Sequence, residues 1–205
     1  MMMKQRINMS DEKNTTEMGE TKKAERIILG IAGPKLAGKG TAVDYLNDTH
    51  GFVNFTMSDI LVDILARLGK NNSRVNIIAL VGALRDAFGE NILAKVLCED
   101  IEKSDKQRII IDGIRMNSEV DMFQELPGFK LVYMDAPLEE RYQRAINRGE
   151  KAGESEMSFE EFKAEEQARS ELQIKSLKDR ADYVMFNQQS EEEMRAELDN
   201  IISDL

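Results

Sequence analysis

An α/β fold built on a parallel sheet is predicted by three features of this 205-residue chain. Short apolar runs rich in β-branched residues recur along it, stretches of helical periodicity separate them, and a glycine-rich turn joins the first run to the first helical stretch. Strands that alternate with helices pair in parallel, because each crossover returns the chain to the same end of the sheet. The length suits one domain, and 41% hydrophobic residues suffice for a packed core.

Residues Met1 to Glu25 have no hydrophobic period and read as a disordered tail, so the domain is expected to span 26–205. Ile27-Ile28-Leu29-Gly30-Ile31-Ala32 is a first strand, apolar on both faces and stopped by Gly33-Pro34. Thr41 to Leu46 is helical. Further strands are expected at Phe52 to Thr56, Arg108 to Ile111, Lys130 to Met134 and Tyr183 to Phe186. Between the second and third strands, helical patterns at Asp59 to Leu68, Val75 to Phe88 and Asn91 to Lys103 predict a helical insertion over 57–105. Ser158 with Glu161 and Ser190 with Glu193 have capping-box spacing and mark two later helix starts.

The 38 acidic residues outnumber the 28 basic ones, and a formal charge of −10 disfavours nonspecific attraction to nucleic acid or an anionic membrane. Any polyanion must find a locally positive pocket. One cysteine, Cys98, cannot form an intrachain disulfide, and with the single His50 it cannot make a Cys/His zinc site, so a cytoplasmic location is expected. No stretch approaches the roughly 20 apolar residues of a membrane span.

Gly33-Pro34-Lys35-Leu36-Ala37-Gly38-Lys39-Gly40-Thr41 contains Gly-x-x-x-x-Gly-Lys between a strand and a helix, the context that defines a P-loop. Glycines let successive N–H groups converge on one center, the helix N-terminus adds partial positive charge, and Lys39 reaches the β- and γ-phosphates. ATP is the expected guest. Gly40 stands where many P-loops place a hydroxyl on Mg²⁺, so the hydroxyl comes one position later, at Thr41. Asp112, ending the Ile109-Ile110-Ile111 strand, is the carboxylate expected to hold Mg²⁺ or its water shell.

The Gly-Lys-Gly-Thr run, the Ser58-Asp59 pair after strand two, and Asp112-Gly113-Ile114-Arg115 after strand three resemble the nucleoside monophosphate kinases, adenylate kinase among them. The chain also resembles compact adenylate-kinase-like and dephospho-coenzyme-A-kinase-like proteins. The resemblance runs from about Arg26 to the C-terminus. It implies a P-loop NTPase-type sheet of five parallel strands in the order 2-3-1-4-5, with helices on both faces and the 57–105 insertion binding the acceptor. It also implies that Arg115 contacts the acceptor phosphate, that Ser58 and Asp59 lie on the acceptor side, and that Arg144 and Arg148, one helical turn apart, stabilise the transferring phosphoryl group. Asn187, after the last strand, is implied as a contact to the adenine.

The chain departs from the family at Val62, where the kinases carry an acceptor-side arginine; Arg85 is the candidate substitute. Residues 149–158 form a short acidic stretch without the cysteines of zinc-bearing lids, so any lid is small, and Arg169 on the next helix is a further phosphate candidate.

The expected reaction is in-line transfer from MgATP to a small phosphorylated acceptor, a ribo- or deoxyribonucleoside monophosphate giving the diphosphate. Two alternatives stay open: transfer to a ribose hydroxyl, as in dephospho-coenzyme-A kinases, with Asp59 as base, and a nucleotide-binding switch that transfers nothing. The chain is compatible with a monomer or a homodimer.

Overall fold

A computed structural model describes residues 26–148, 157–188 and 190–205. The tail through Glu25 and most of the expected lid, 149–156, lie outside them. Five strands, β1 (Ile27–Ala32), β2 (Val53–Thr56), β3 (Arg108–Asp112), β4 (Phe129–Asp135) and β5 (Tyr183–Phe186), pair in parallel in the order β2-β3-β1-β4-β5. This is the topology implied by the family resemblance. Ile27 opposite Arg108 and Ile28 opposite Phe129 set the register of the central strand.

The strands are apolar on both faces because each face has its own core. Ile28, Ala32, Ile109, Ile111, Leu131 and Tyr133 face one side. Leu29, Ile31, Ile110, Val132, Met134 and Met185 face the other. Alternation along β1 and β3 sends neighbours to opposite layers, as the period of two demands.

On the first face, α4 (Ile92–Lys103) buries Ala94, Leu97 and Ile101 at helical spacing, α5 (Asn117–Phe123) buries Val120 and Phe123, and α8 (Arg169–Ser176) packs Ile174 beside Leu177 of the 3-10 turn Leu177–Arg180. On the second face, α1 (Lys39–His50) buries Ala42, Val43 and Leu46 against Met194, Leu198 and Ile201 of α9 (Glu191–Ser203). Both expected capping boxes form: Ser158 starts α7 (Phe159–Glu165) and Ser190 starts α9. The α5 segment carried no clear period, and its start is fixed by Glu119, whose Oε2 accepts from the N–H groups of Arg115 (2.8 Å) and Met116 (3.1 Å).

The insertion consists of α2 (Met57–Arg67), α3 (Arg74–Phe88) and α4. The sequence placed the first of these from Asp59; the helix starts two residues earlier because Thr56 Oγ1 accepts from the Asp59 N–H at 3.1 Å and is the N-cap. Helix α3 is apolar yet buries no residue fully. Among the described residues, no helix is long and apolar enough to cross a membrane.

Candidate functional site

The carboxyl ends of β1, β3 and β4 converge on the loop 33–38. Gly33 has φ 138°, and a Cβ there would stand 2.0 Å from the Met134 carbonyl oxygen, so only glycine lets the loop leave β1 against β4. Gly38, at φ 97°, is the left-handed N-cap of α1 and offers no side-chain cap; the first turn of α1 carries no acidic residue. The N–H groups at this helix end therefore keep both their positive field and their unmet hydrogen-bonding capacity. Leu36 adopts φ 62°, a conformation an L-residue holds only when its surroundings impose it.

Those surroundings are side chains that grip the loop carbonyls one after another. Lys39 Nζ donates to Gly33 O at 2.9 Å and to Pro34 O at 2.8 Å. Arg141 Nη1 donates to Lys35 O at 3.3 Å, Arg144 Nη1 to Leu36 O at 3.0 Å, and Asn187 Nδ2 to Ala37 O at 2.9 Å. In a trans peptide, C=O and the following N–H point to opposite sides. The bonds from Arg141, Arg144 and Asn187 fix these peptides, the Ala37 N–H closes the loop on the Pro34 carbonyl at 3.4 Å, and the remaining loop N–H groups can serve an anion.

Arg141, which shares α6 (Leu138–Arg148) with Arg144 and Arg148, was not a site candidate from sequence. It is 4% exposed and makes a bidentate pair with Glu166, itself 1% exposed, through Nη1–Oε1 at 2.9 Å and Nη2–Oε2 at 2.7 Å. Burial by itself would raise the Glu166 carboxyl, but the hydrogen bonds from Arg141 and Lys175 outweigh it and hold the group below the usual carboxylate range. The pair clamps the end of α7 onto the loop. Lys35, inside the Gly-x-x-x-x-Gly-Lys run, is turned the same way: it pairs with Glu165 and lies 4.3 Å from the center of the Phe162 ring.

Lys39 is the central cation. Burial lowers its ammonium to about 8, while the Asp112 carboxylate raises it, Arg115 lowers it, Glu171 raises it and Arg141 lowers it. These charges act on Lys39 from the end of β3, from the segment after it and from α8; Glu171 of α8 was not found from sequence. Below pH 8 the lysine is charged in both folded and unfolded chains, and the burial cost is fully present. Between about pH 8 and 10 the folded lysine releases its proton first, so this group then favours folding more as pH rises. Anion binding has the opposite trend. ATP affinity is expected to hold up to about pH 8 and then fall by up to tenfold per unit, as seen by calorimetry at several pH values, with a flat profile contradicting it.

Asp112 Oδ1 accepts from the Gly113 N–H at 2.7 Å, and Arg115 is exposed beside it. Arg85 approaches the same corner, its Nη2 3.9 Å from Glu119 Oε1, and its Nε is buried with no hydrogen-bond partner. Desolvation raises the buried Glu119 carboxyl, against the pull of the Arg115 and Met116 amides and the Arg85 charge.

A cavity of about 210 Å³ opens beside α1, lined by Gly38, Thr41, Arg144, Asn187, Glu191 and Met194. It gathers Asn187 and Thr41, both expected at the nucleotide, with Glu191 and Met194, which the sequence did not reveal because they come from the last helix. Arg144 Nη2 also donates to Asn187 O at 3.0 Å and pairs with Glu140 at 3.4 Å. Arg144 thus lies on the cavity side of the loop, and reaching a transferring phosphoryl group would require releasing these bonds. Arg148 ends α6, exposed; the side chain of Arg169 is outside those described. Thr41 lines this cavity and Asp112 does not.

Ser58 is exposed in the first turn of α2. Asp59 instead lines a cavity of about 670 Å³ at the open edge of β2, with Asp63, Arg67 and Asp100. Among the described residues no three His, Cys, Asp or Glu side chains form a metal cage.

Parallel strands in the order 2-3-1-4-5 and a lysine-bearing loop opening α1 define a P-loop NTPase of kinase-like fold. Residues 32–163 match the family model described as AAA domain, which is more than half of the chain, and the chain belongs to that family. It is similar to proteins designated UPF0200: one from Methanoculleus marisnigri is 28% identical over 172 residues, covering 83% of this chain and 92% of the relative. Another, from Hyperthermus butylicus, is 26% identical over 182 residues, covering 89% and 96%. The fold is shared with the crystal structure of TT1252 from Thermus thermophilus (TM-score 0.59, 23% identity, 88% and 98% coverage). Shikimate kinase from Acinetobacter baumannii, solved in complex with shikimate, shares it too (TM-score 0.52, 14% identity, 87% and 94% coverage).

Proposed function

We propose that the protein transfers the γ-phosphoryl group of ATP to a small phosphorylated acceptor, a ribo- or deoxyribonucleoside monophosphate. The observation that carries this is the Lys39 loop leaving β1 beside Asp112, whose strand pairs with β1 at Ile31, with the Asp112 and Arg115 charges acting on Lys39 and Arg85 held near the same segment through Glu119. Donor and acceptor phosphates there would share one cationic center.

Lys39 and the α1 N-terminus hold the β- and γ-phosphates, and the Gly38-Thr41-Arg144-Asn187 cavity takes the adenine side of the donor. Arg115 and Arg85 bind the acceptor phosphate, Arg85 supplying the charge missing at Val62. An acceptor oxygen forms a bond to Pγ while the bond from Pγ to the β–γ bridging oxygen breaks, its electron pair leaving with ADP. The acceptor phosphate is already ionised near neutral pH, so no general base is needed. Arg148, and Arg144 once freed from the loop carbonyls, would neutralise charge at the transferring group.

Mg²⁺ takes one or two carboxylates and completes its shell with phosphate oxygens and water rather than a protein cage, and Asp112 at the end of β3 is a carboxylate of that kind. Asp112 would hold it or its water, with Thr41 from the helix start as the other oxygen donor, and the ion would draw charge from the β- and γ-phosphates.

Transfer to a ribose hydroxyl is supported less well, because its expected base, Asp59, lines the β2-edge cavity and is not among the charges acting on Lys39. The test is ADP formation from MgATP with a panel of ribo- and deoxyribonucleoside monophosphates and dephospho-coenzyme A. Stimulation by a monophosphate is the expected result. No acceptor raising turnover above background would overturn the proposal, and stimulation by dephospho-coenzyme A alone would favour the hydroxyl reaction.

A further inference from the structure

Glu171 is a charged group at the phosphate site that the proposed reaction leaves without a task. It lies in the first turn of α8, one turn before Ile174, and residues at i and i+3 share a helix face. Ile174 is 3% exposed in the core that holds Ala32 and Tyr133, the carboxyl-terminal parts of β1 and β4. The face of α8 that carries Glu171 is therefore seated on the sheet where the loop 33–38 begins. The Glu171 charge acts on both Lys39 and Tyr133, from the side of α8, as Asp112 acts on Lys39 from β3.

Its Oε2 is buried and has no hydrogen-bond partner. A buried carboxylate oxygen without a donor is costly, and such a group persists where a ligand later supplies the donor. A polyphosphate brought to Lys39 would make matters worse, since it sets negative charge beside Glu171. Lys39 and Arg115 are matched by Asp112 and Glu171, and Arg141 is already spent on Glu166. The cluster by itself is close to neutral. A divalent cation between the phosphates and the two carboxylates reverses the sign of the interaction, and its bound water is the donor that Oε2 lacks.

We propose that Glu171 is a positioning residue that makes polyphosphate binding depend on a divalent cation, accepting a hydrogen bond from metal-bound water. The inference rests on the loop 33–38 taking a polyphosphate, but not on the identity of any acceptor. It also explains a buried carboxylate oxygen without a donor on a half-buried side chain.

The experiment compares wild type, Glu171→Gln and Glu171→Asp by calorimetric titration with ATP and with inorganic tripolyphosphate, each with excess Mg²⁺ and with chelator. For Glu171→Gln, affinity for the magnesium forms is expected to fall about tenfold while affinity for the metal-free forms is unchanged or higher, because a negative charge has been removed beside a polyanion. Glu171→Asp should recover part of the metal dependence. The thermal midpoint of Glu171→Gln should stay close to that of wild type, since the Oε2 altered has no hydrogen-bond partner to lose. Equal changes with and without metal, or no change in either, would overturn the proposal. Polyphosphate binding without turnover on any acceptor would overturn the kinase proposal alone; no polyphosphate binding by wild type would overturn both.

Discussion

Lys39→Ala is expected to lower kcat/KM for phosphoryl transfer by roughly 100- to 1,000-fold, the usual cost of deleting a charged donor aimed at developing charge. The physical basis is the position of the ammonium: mostly buried, lowered to about 8, and held by the Gly33 and Pro34 carbonyls inside the loop it serves. In a site of low effective dielectric that charge acts strongly on phosphate. The measurement is ADP formation by the purified variant beside direct ATP binding. Binding should weaken as well, because Lys39 contacts ground-state phosphates. Unchanged turnover would mean that the activity belongs to a contaminant.

Arg141→Ala is expected to have the largest effect on stability. It leaves Glu166 buried with only Lys175 beside it, and breaking a buried pair from one side costs about 3–5 kcal/mol. For a domain of this size that corresponds to a fall of roughly 10 °C in thermal midpoint. The loss should be far smaller when both partners are exchanged, as in Arg141→Met with Glu166→Leu, because no charge is then stranded. A midpoint for Arg141→Ala within about 2 °C of wild type would contradict this. The pair also predicts acid sensitivity. The Glu166 carboxyl lies below its unfolded value, so its contribution is complete above that value and is lost as pH falls through the folded one.

Arg141→Ala should reach function too, since Arg141 holds the Lys35 carbonyl. The double exchange therefore separates two effects: stability returns with the matched apolar pair, while nucleotide affinity stays reduced because the loop has lost one of its grips.

Much of the fold was legible because its determinants are local. The β-branched runs gave all five strands, and the capping residues Ser158 and Ser190 gave two helix starts, since a cap acts within three residues of itself. Where the reading slipped, a local signal decided: Thr56 caps α2 and starts it two residues before Asp59, and Glu119 starts α5 without a hydrophobic period to announce it. The loop 33–41 was legible for the same reason, as nine consecutive residues carry the whole strand-turn-helix geometry.

The arginines were not legible in this way. Arg141, Arg144 and Arg148 lie on one short helix; spacing set Arg144 and Arg148 one turn apart, and the family resemblance implied that they stabilise charge. In the folded protein Arg141 is buried against Glu166, and Arg144 is spread over the Leu36 and Asn187 carbonyls. Which carbonyl a guanidinium meets depends on how α6 lies across a loop more than 100 positions earlier in the chain. The sequence by itself determined the sheet, the phosphate loop and the lysine within it, because backbone conformation and hydrophobic period are properties of neighbouring residues. The tertiary structure alone decided how the groups around that loop are engaged: a buried ion requires a partner, and Arg141 finds Glu166, as Asn187 finds the Ala37 carbonyl, only when distant segments pack together.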